Sequence, residues 1–153
     1  MPNFLMTQTH YHDFLELAEL AQIEKDFAHS FDVKDTSFIV LEDLAQLNPE
    51  DWPAHCFKFQ PSLQLLAFRH NSFEIWQALA KDTSPPELRQ IERPAHWVIW
   101  RARNLISEYR PMPSAAWDAL GIALPDQPFA DICERLLKHY KHEDTPSQAI
   151  ALI

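Results

Sequence analysis

Apolar residues recur every three to four positions from Tyr11 to Phe31 over a wide arc, which predicts a long helix largely covered by the rest of the protein. A short helix is predicted over residues 41–47. Residues 48–51, Asn-Pro-Glu-Asp, then combine a capping side chain, a proline and acids in the order typical of a new helical turn. The first third of the chain is therefore predicted to be helical.

The pattern changes at His55, where apolar and polar residues alternate through residue 60, and an apolar run over residues 63–68 follows Pro61. This pattern predicts strand structure that is interrupted or bent at the proline. Two further β-rich runs, residues 96–101 and 105–110, are separated by three residues ending in Asn104. We predict a hairpin there, since Asn104 can tolerate a left-handed conformation.

Helix-start signals punctuate the rest of the chain. Asn71-Ser72-Phe73-Glu74 has capping-box spacing, and Ser84-Pro85-Pro86-Glu87 repeats a start signal for a helix that must end by Pro94. Three later helices are predicted over residues 114–120, ended by Gly121 as a left-handed cap, over residues 126–140, and from residue 145.

These elements define an α+β fold in a single domain, residues 1–153. A helical part over residues 10–52 precedes a part over residues 55–153, in which a small antiparallel sheet of three to four strands is flanked by helices. The order of helices and hairpin is winged-helix-like and also suits peptide recognition.

Composition narrows the function. The chain has one glycine in 153 residues, where roughly ten would be average. Phosphate-binding loops, dinucleotide fingerprints and nucleophile elbows all need several glycines in a short window, so enzymes built on them are excluded. Two cysteines 77 positions apart suggest neither a disulfide scaffold nor a zinc site, and no apolar run approaches the length of a membrane span. We therefore expect a cytoplasmic protein with reduced thiols, away from the membrane.

Charge is distributed unevenly. The formal net charge is −9, which disfavours binding to a nucleic-acid backbone. Residues 1–57 hold two basic and eleven acidic side chains, residues 58–110 hold eight and five, and residues 111–153 hold three and six. The basic centre is either ordinary surface variation or a surface that receives an acidic partner segment.

No constellation of side chains predicts an active site. Capping or turn chemistry explains the four serines that neighbour Pro or Asn, which are Ser62, Ser72, Ser84 and Ser114. Paired acids lie at helix starts or on solvated turns. Of the eight histidines, His139 and His142 could share a helix face, but two ligands do not make a metal site without a third. We therefore predict neither catalytic residues nor a cofactor in this chain, and keep a small metalloenzyme using these histidines as a minor hypothesis.

The hairpin carries the clearest candidate site. Trp97, Ile99 and Arg101 fall on one face of its first strand, and His96, Val98 and Trp100 fall on the other. A sheet packed by helices on both sides, with arginines at its rim, would explain the pattern. An exposed edge rich in aromatic residues and arginine could instead accept an extended peptide as an added strand. The residues that we expect near such a peptide are Trp97, Trp100, Arg101, Arg103 and Arg110.

Several short segments, in this order and spacing, resemble the second, C-terminal domain of the HvfC/BufC family. The resemblance runs from about residue 10 to about residue 140. Members usually carry an additional N-terminal helical domain, long labelled DNA-binding, and we expect this chain to correspond to the part after it. The segments that carry the resemblance are residues 14–20 (FLELAEL), 47–52 (LNPEDW), 61–66 (PSLQLL), 75–76 (IW) and 98–101 (VIWR).

The resemblance implies a partner role. Proteins of this family accompany multinuclear non-haem iron-dependent oxidases that modify ribosomally made peptides, such as copper-chelating methanobactin. The accessory chain would hold the leader of the precursor peptide as an added strand, and the iron would belong to the oxidase. A DNA-binding transcriptional regulator is the alternative function, although the acidity of the chain counts against nucleic acid.

Overall fold

Helices flank a small antiparallel sheet, which is the arrangement expected of an α+β fold. The computed structural model describes residues 15–124 and 127–140. Five α-helices, one 3-10 turn and three strands lie within these ranges: α1 (Leu15–Asp32), α2 (Leu41–Ala45), the 3-10 turn (Trp52–Ala54), β1 (Gln64–His70), α3 (Ser72–Ala80), β2 (Gln90–Arg101), β3 (Ser107–Met112), α4 (Ser114–Ala123) and α5 (Phe129–Leu136). The α+β prediction is confirmed, whereas the predicted helix from residue 145 lies outside the described residues.

The three strands form one antiparallel sheet in the order β1-β2-β3. The predicted hairpin is present as β2 and β3, and its last bond joins the Ala102 N–H to the Ile106 carbonyl at 2.8 Å. The left-handed residue of the turn is Leu105, at φ 64°, although Asn104 is the residue that tolerates this conformation more readily. Asn104 contributes its side chain instead, because Oδ1 accepts a hydrogen bond from the Ile106 N–H at 3.1 Å and so closes the turn.

Helices cover both faces of the sheet. On one face, α1 and α3 pack over a cluster of buried apolar residues, Ile23, Leu66, Phe68, Phe73 and Ile99. On the other face, α4 and α5 pack over a second cluster, Phe57, Val98, Met112, Ala119, Leu120, Ala123, Phe129, Ile132 and Leu136. The interpretation of the hairpin as a sheet packed on both sides is therefore correct.

The alternation over residues 55–60 does not produce a strand. Cys56 forms an isolated bridge with Pro128, and the rest of the segment is irregular up to a turn in which the Leu63 N–H donates to the Gln60 carbonyl at 3.0 Å. The alternation arises because one side of the segment packs on the α4–α5 core, where Phe57 is 2% exposed. Regular ladder pairing begins only at Gln64.

The helix predicted after Ser84 is also absent. Residues 84–89 are irregular and exposed, and β2 begins at Gln90. Asn71 holds this segment extended, because its side-chain amide donates to the Glu87 carbonyl at 3.0 Å and its oxygen accepts from the Arg89 N–H at 2.8 Å. These bonds use the side chain that would otherwise cap α3, whose predicted start is nevertheless confirmed.

Gly121 is not a helix stop. Helix α4 continues through it to Ala123, and its φ is not positive. Contacts with α5 extend the helix past the glycine, since Ala123 is 1% exposed within the α4–α5 core. Tertiary packing therefore outweighs the helix-stop signal of the glycine.

Candidate functional site

The five predicted site residues lie on opposite faces of the sheet. Trp97 and Arg101 face the α1–α3 side, and Trp100 faces the α4–α5 side together with Arg110. Arg103 lies in the turn between the two strands. The structure therefore does not bring the five residues into one site.

Trp97 is partly buried and packs in the aromatic cluster between the sheet and α3. Its ring stacks on Phe73 with centroids 4.0 Å apart, and Tyr109 lies 6.3 Å away. Phe27 and Trp76 extend the same cluster, stacked at 4.6 Å. Burial and stacking account for Trp97 without any ligand.

Arg101 is buried, with 8% of its surface exposed. Its guanidinium donates to the carbonyls of Phe31 at 2.6 Å and Val33 at 2.5 Å. It also forms an ion pair with Asp35 at 2.6 Å. These bonds tie the chain that leaves α1 to the end of β2, so Arg101 positions the segment that follows and is not available to a peptide.

Trp100 and Arg110 line a groove on the other face. Arg110 is exposed, and its guanidinium carbon lies 5.8 Å from the centroid of the Trp100 ring. The groove has a volume of about 280 Å³. Its lining consists of Ser37, Phe38, Ile39, Phe57, Lys58, Phe59, Gln60, Leu63, Val98, Trp100, Arg110, Met112 and Leu120.

Arg103 holds one wall of this groove in place. Its guanidinium donates to the Ile39 carbonyl at 3.0 Å and lies 5.0 Å from the centroid of the Phe38 ring. Phe38 and Ile39 are nevertheless 40% and 45% exposed. Sequence reasoning missed both walls, residues 37–39 and 57–60. The signal for the first was the short apolar run of residues 38–41, which follows the polar residues 34–37.

The charged residues that line the groove are both cations, Lys58 and Arg110. No Asp or Glu is among the described lining residues, although the chain has a net charge of −9. The groove therefore combines an aromatic and aliphatic floor with positive charge at its rim, a pairing that suits an apolar ligand group beside an anion.

The outer edge of β3 runs beside the groove. The Arg101 N–H points toward β1, where it donates to Ser62 Oγ at 3.2 Å, and the Ala102 N–H points toward β3. Backbone groups alternate in direction along each strand, and the hairpin register extends this alternation to β3. The backbone hydrogen-bonding groups of Ser107, Tyr109 and Pro111 therefore point away from β2. Within residues 15–124 and 127–140 no strand pairs with that edge.

A second polar cluster resembles a catalytic triad only in composition. The carboxylate of Glu19 accepts from Ser72 Oγ at 2.6 Å and from the Arg69 N–H at 2.8 Å, and it lies 3.3 Å from His70 Nδ1. The serine hydroxyl thus bonds to the acid and not to the histidine, which is the reverse of what activates a nucleophile. This cluster fastens α1 to the junction between β1 and α3.

Among the described residues, the candidate metal ligands and the two thiols share no site. His139 Nε2 lies 3.5 Å from Asp118 Oδ2, whereas His142 lies outside the described residues. In the part of the chain that the structure describes, no three potential ligands cluster. Burial raises the pKa of the Cys133 thiol, which packs against the α4–α5 core, and Cys56 is exposed.

Comparisons with known proteins return no match: neither a protein-family model, nor a curated protein, nor a solved structure is similar to this chain. Among the described helices, none is long and apolar enough to cross a membrane.

Proposed function

We propose that this protein is a noncatalytic accessory subunit that binds a ribosomally made precursor peptide and presents it to a partner iron-dependent oxidase, as the resemblance to the HvfC/BufC family implies. The observation that carries the proposal is the outer edge of β3 beside the groove of Trp100 and Arg110. Peptide leaders bind in this way when a sheet edge supplies main-chain hydrogen bonds and neighbouring pockets read the side chains.

The geometry of the hairpin sets how a leader would pair. A strand added about 4.8 Å beyond β3 would use the N–H and C=O groups of Ser107 and Tyr109. Pro111 has no N–H, so the paired stretch would be short. Alternate side chains of the leader would lie on the face that carries Arg110, close to the groove.

The proposal can be tested with the backbone donor of Ser107. Ser107→Pro and Ser107→Ala both lose the hydroxyl that lies 2.6 Å from Ser30 Oγ, but only the proline variant also loses the N–H. A proline is tolerated at the first position of a strand. We expect Ser107→Pro to weaken leader binding tenfold or more in fluorescence anisotropy, and Ser107→Ala to leave it unchanged.

Co-expression with an oxidase encoded by a neighbouring gene, together with the precursor peptide, tests the partner role. We expect the oxidase to co-purify with this chain, and peptide modification to depend on it. A full level of modification without the chain, or no affinity for the leader, would contradict the proposal.

The alternative, a DNA-binding regulator, has less support. A helix-turn-helix needs a second helix to enter the major groove, and the helix predicted after Ser84 is irregular backbone. DNA binding would also have to fall steeply with added salt, in a chain of net charge −9. A gel-shift titration at several salt concentrations separates the two functions.

A further inference from the structure

The groove has a chemistry that strand addition alone does not require. Main-chain pairing on β3 uses the backbone of Ser107 and Tyr109 and requires no particular side chains on the α4–α5 face of the sheet. That face nevertheless leaves Phe38 and Ile39 well exposed around an apolar floor. A volume of about 280 Å³ lies just below the range of small-molecule pockets, about 300–1,000 Å³, and can receive side chains of an extended segment.

Among the residues that the structure describes, neither cation of the groove has a carboxylate partner. Arg89, Arg101 and Arg135 approach acids within 4.0 Å, whereas within the described residues neither Lys58 nor Arg110 does. Glu108 lies two positions before Arg110 and is exposed. Among the described residues, it forms no ion pair with Arg110. Stacking on Trp100 places the Arg110 guanidinium at the groove while its N–H donors remain able to bind an anion.

We propose that the groove selects an acidic peptide segment in which a large apolar side chain is flanked by carboxylates. The apolar side chain would pack among Phe38, Phe59 and Trp100, and the carboxylates would bind Arg110 and Lys58. This inference rests on the proposed function, since it names the leader chemistry that the site reads. The groove is positively charged, whereas the chain as a whole has a net charge of −9. An acidic segment is therefore attracted to the groove and not to the rest of the surface.

Three short peptides separate the contributions. Each is acetylated and amidated with Gly-Ser flanks, and their centres are Asp-Phe-Glu, the uncharged Asn-Phe-Gln, and Asp-Ala-Glu. Titrations into the isotopically labelled protein, followed by two-dimensional NMR up to millimolar peptide, detect weak binding. We expect Asp-Phe-Glu to shift the Trp100 indole signal, assigned with Trp100→Phe, and the other two peptides to bind at least tenfold more weakly.

Charge reversal tests the pairing. We expect Arg110→Glu to abolish binding of Asp-Phe-Glu and to allow binding of a Lys-Phe-Lys peptide, with Arg110→Gln intermediate. Arg93→Glu is the matched control, because Arg93 is an exposed arginine of β2 outside the groove, and it should leave both affinities unchanged. Circular dichroism checks that each variant is folded.

Several results would overturn the inference. Equal binding of the charged and uncharged peptides would remove the role of the cations, and an equal loss in Arg93→Glu would reduce it to general charge. Binding of phosphatidylglycerol vesicles that depends on Arg110, without peptide binding, would assign the groove to a lipid surface. These peptide probes need neither the leader nor the oxidase. The proposed selectivity of the groove can therefore be disproved while leader binding is confirmed, and leader binding can be disproved while the selectivity of the groove is confirmed.

Discussion

The two faces of the sheet make opposite uses of the same residue types. On the α1–α3 face, Trp97 stacks on Phe73, and Arg101 binds two backbone carbonyls and Asp35, so neighbouring groups of the protein occupy both side chains. On the α4–α5 face, Arg110 covers Trp100 at an open groove. A tryptophan with a nearby arginine therefore does not by itself indicate a binding surface. The elements that lie over the pair decide whether it is available to a ligand.

The largest expected difference between the faces concerns their phenylalanines. Phe73 is 2% exposed, and Phe73→Ala should lower the free energy of unfolding by about 4 kcal/mol through lost burial and a cavity. Phe59 lines the groove and is only half-buried, so Phe59→Ala should cost about 1 kcal/mol. Urea unfolding measures both variants. Similar losses would show that the groove wall is packed as tightly as the core.

The two arginines of the hairpin end should differ next. Arg101→Ala leaves two backbone carbonyls and Asp35 without their charged donor, and we expect a loss of about 3 kcal/mol. Arg103→Ala removes an exposed side chain with one hydrogen bond, and we expect a loss of about 0.5 kcal/mol. Chemical unfolding of the two variants side by side decides the assignment. If Arg101→Ala were as stable as Arg103→Ala, Arg101 would be free to serve the peptide after all.

On the α1–α3 face, removal of the side chain that anchors α1 should have a smaller effect on stability. Glu19→Ala removes the acceptor for the Ser72 hydroxyl and for the Arg69 N–H, and we expect it to lower the free energy of unfolding by about 2 kcal/mol. Glu19→Gln keeps one carbonyl acceptor and should lose less. Hydrogen exchange should report the change at the end of β1 and the start of α3, with the α4–α5 face unaffected. A uniform change over both faces would contradict the independent anchoring of α1.

Local patterns predicted the elements better than the site. The period-two pattern of residues 96–101 gave the hairpin and the correct distribution of Trp97 and Trp100 over its two faces, because side chains in a strand must alternate. The groove depends on residues 37–39 and 57–60, which lie far from the hairpin in sequence and have no regular pattern. Their placement comes from contacts such as the one between Arg103 and the Ile39 carbonyl, which no local window contains.

The same limit explains the two missing elements. The Ser-Pro-Pro-Glu signal at residues 84–87 is a valid helix start in isolation, but the Asn71 side chain binds the backbone on either side of residue 88 and keeps it extended. The alternation at residues 55–60 reports burial of one side, which an irregular segment on a core shares with a strand. Both errors come from tertiary contacts that override a correct local preference.

The smallest effect should have the opposite sign, and it lies on the α4–α5 side. Gly121 is in the interior of α4, with no positive φ. Among the described residues, a Cβ there would have only Leu65 Cδ1 nearby, at an ordinary contact distance of 4.0 Å. Gly121→Ala should therefore raise the free energy of unfolding by about 0.5–1 kcal/mol, because alanine loses less backbone entropy in a helix. Thermal unfolding should show a higher Tm, with peptide affinity unchanged because Gly121 does not line the groove. A lower Tm would mean that Gly121 ends the helix in solution, as its sequence context suggested, and that α4 is shorter on the open side of the sheet.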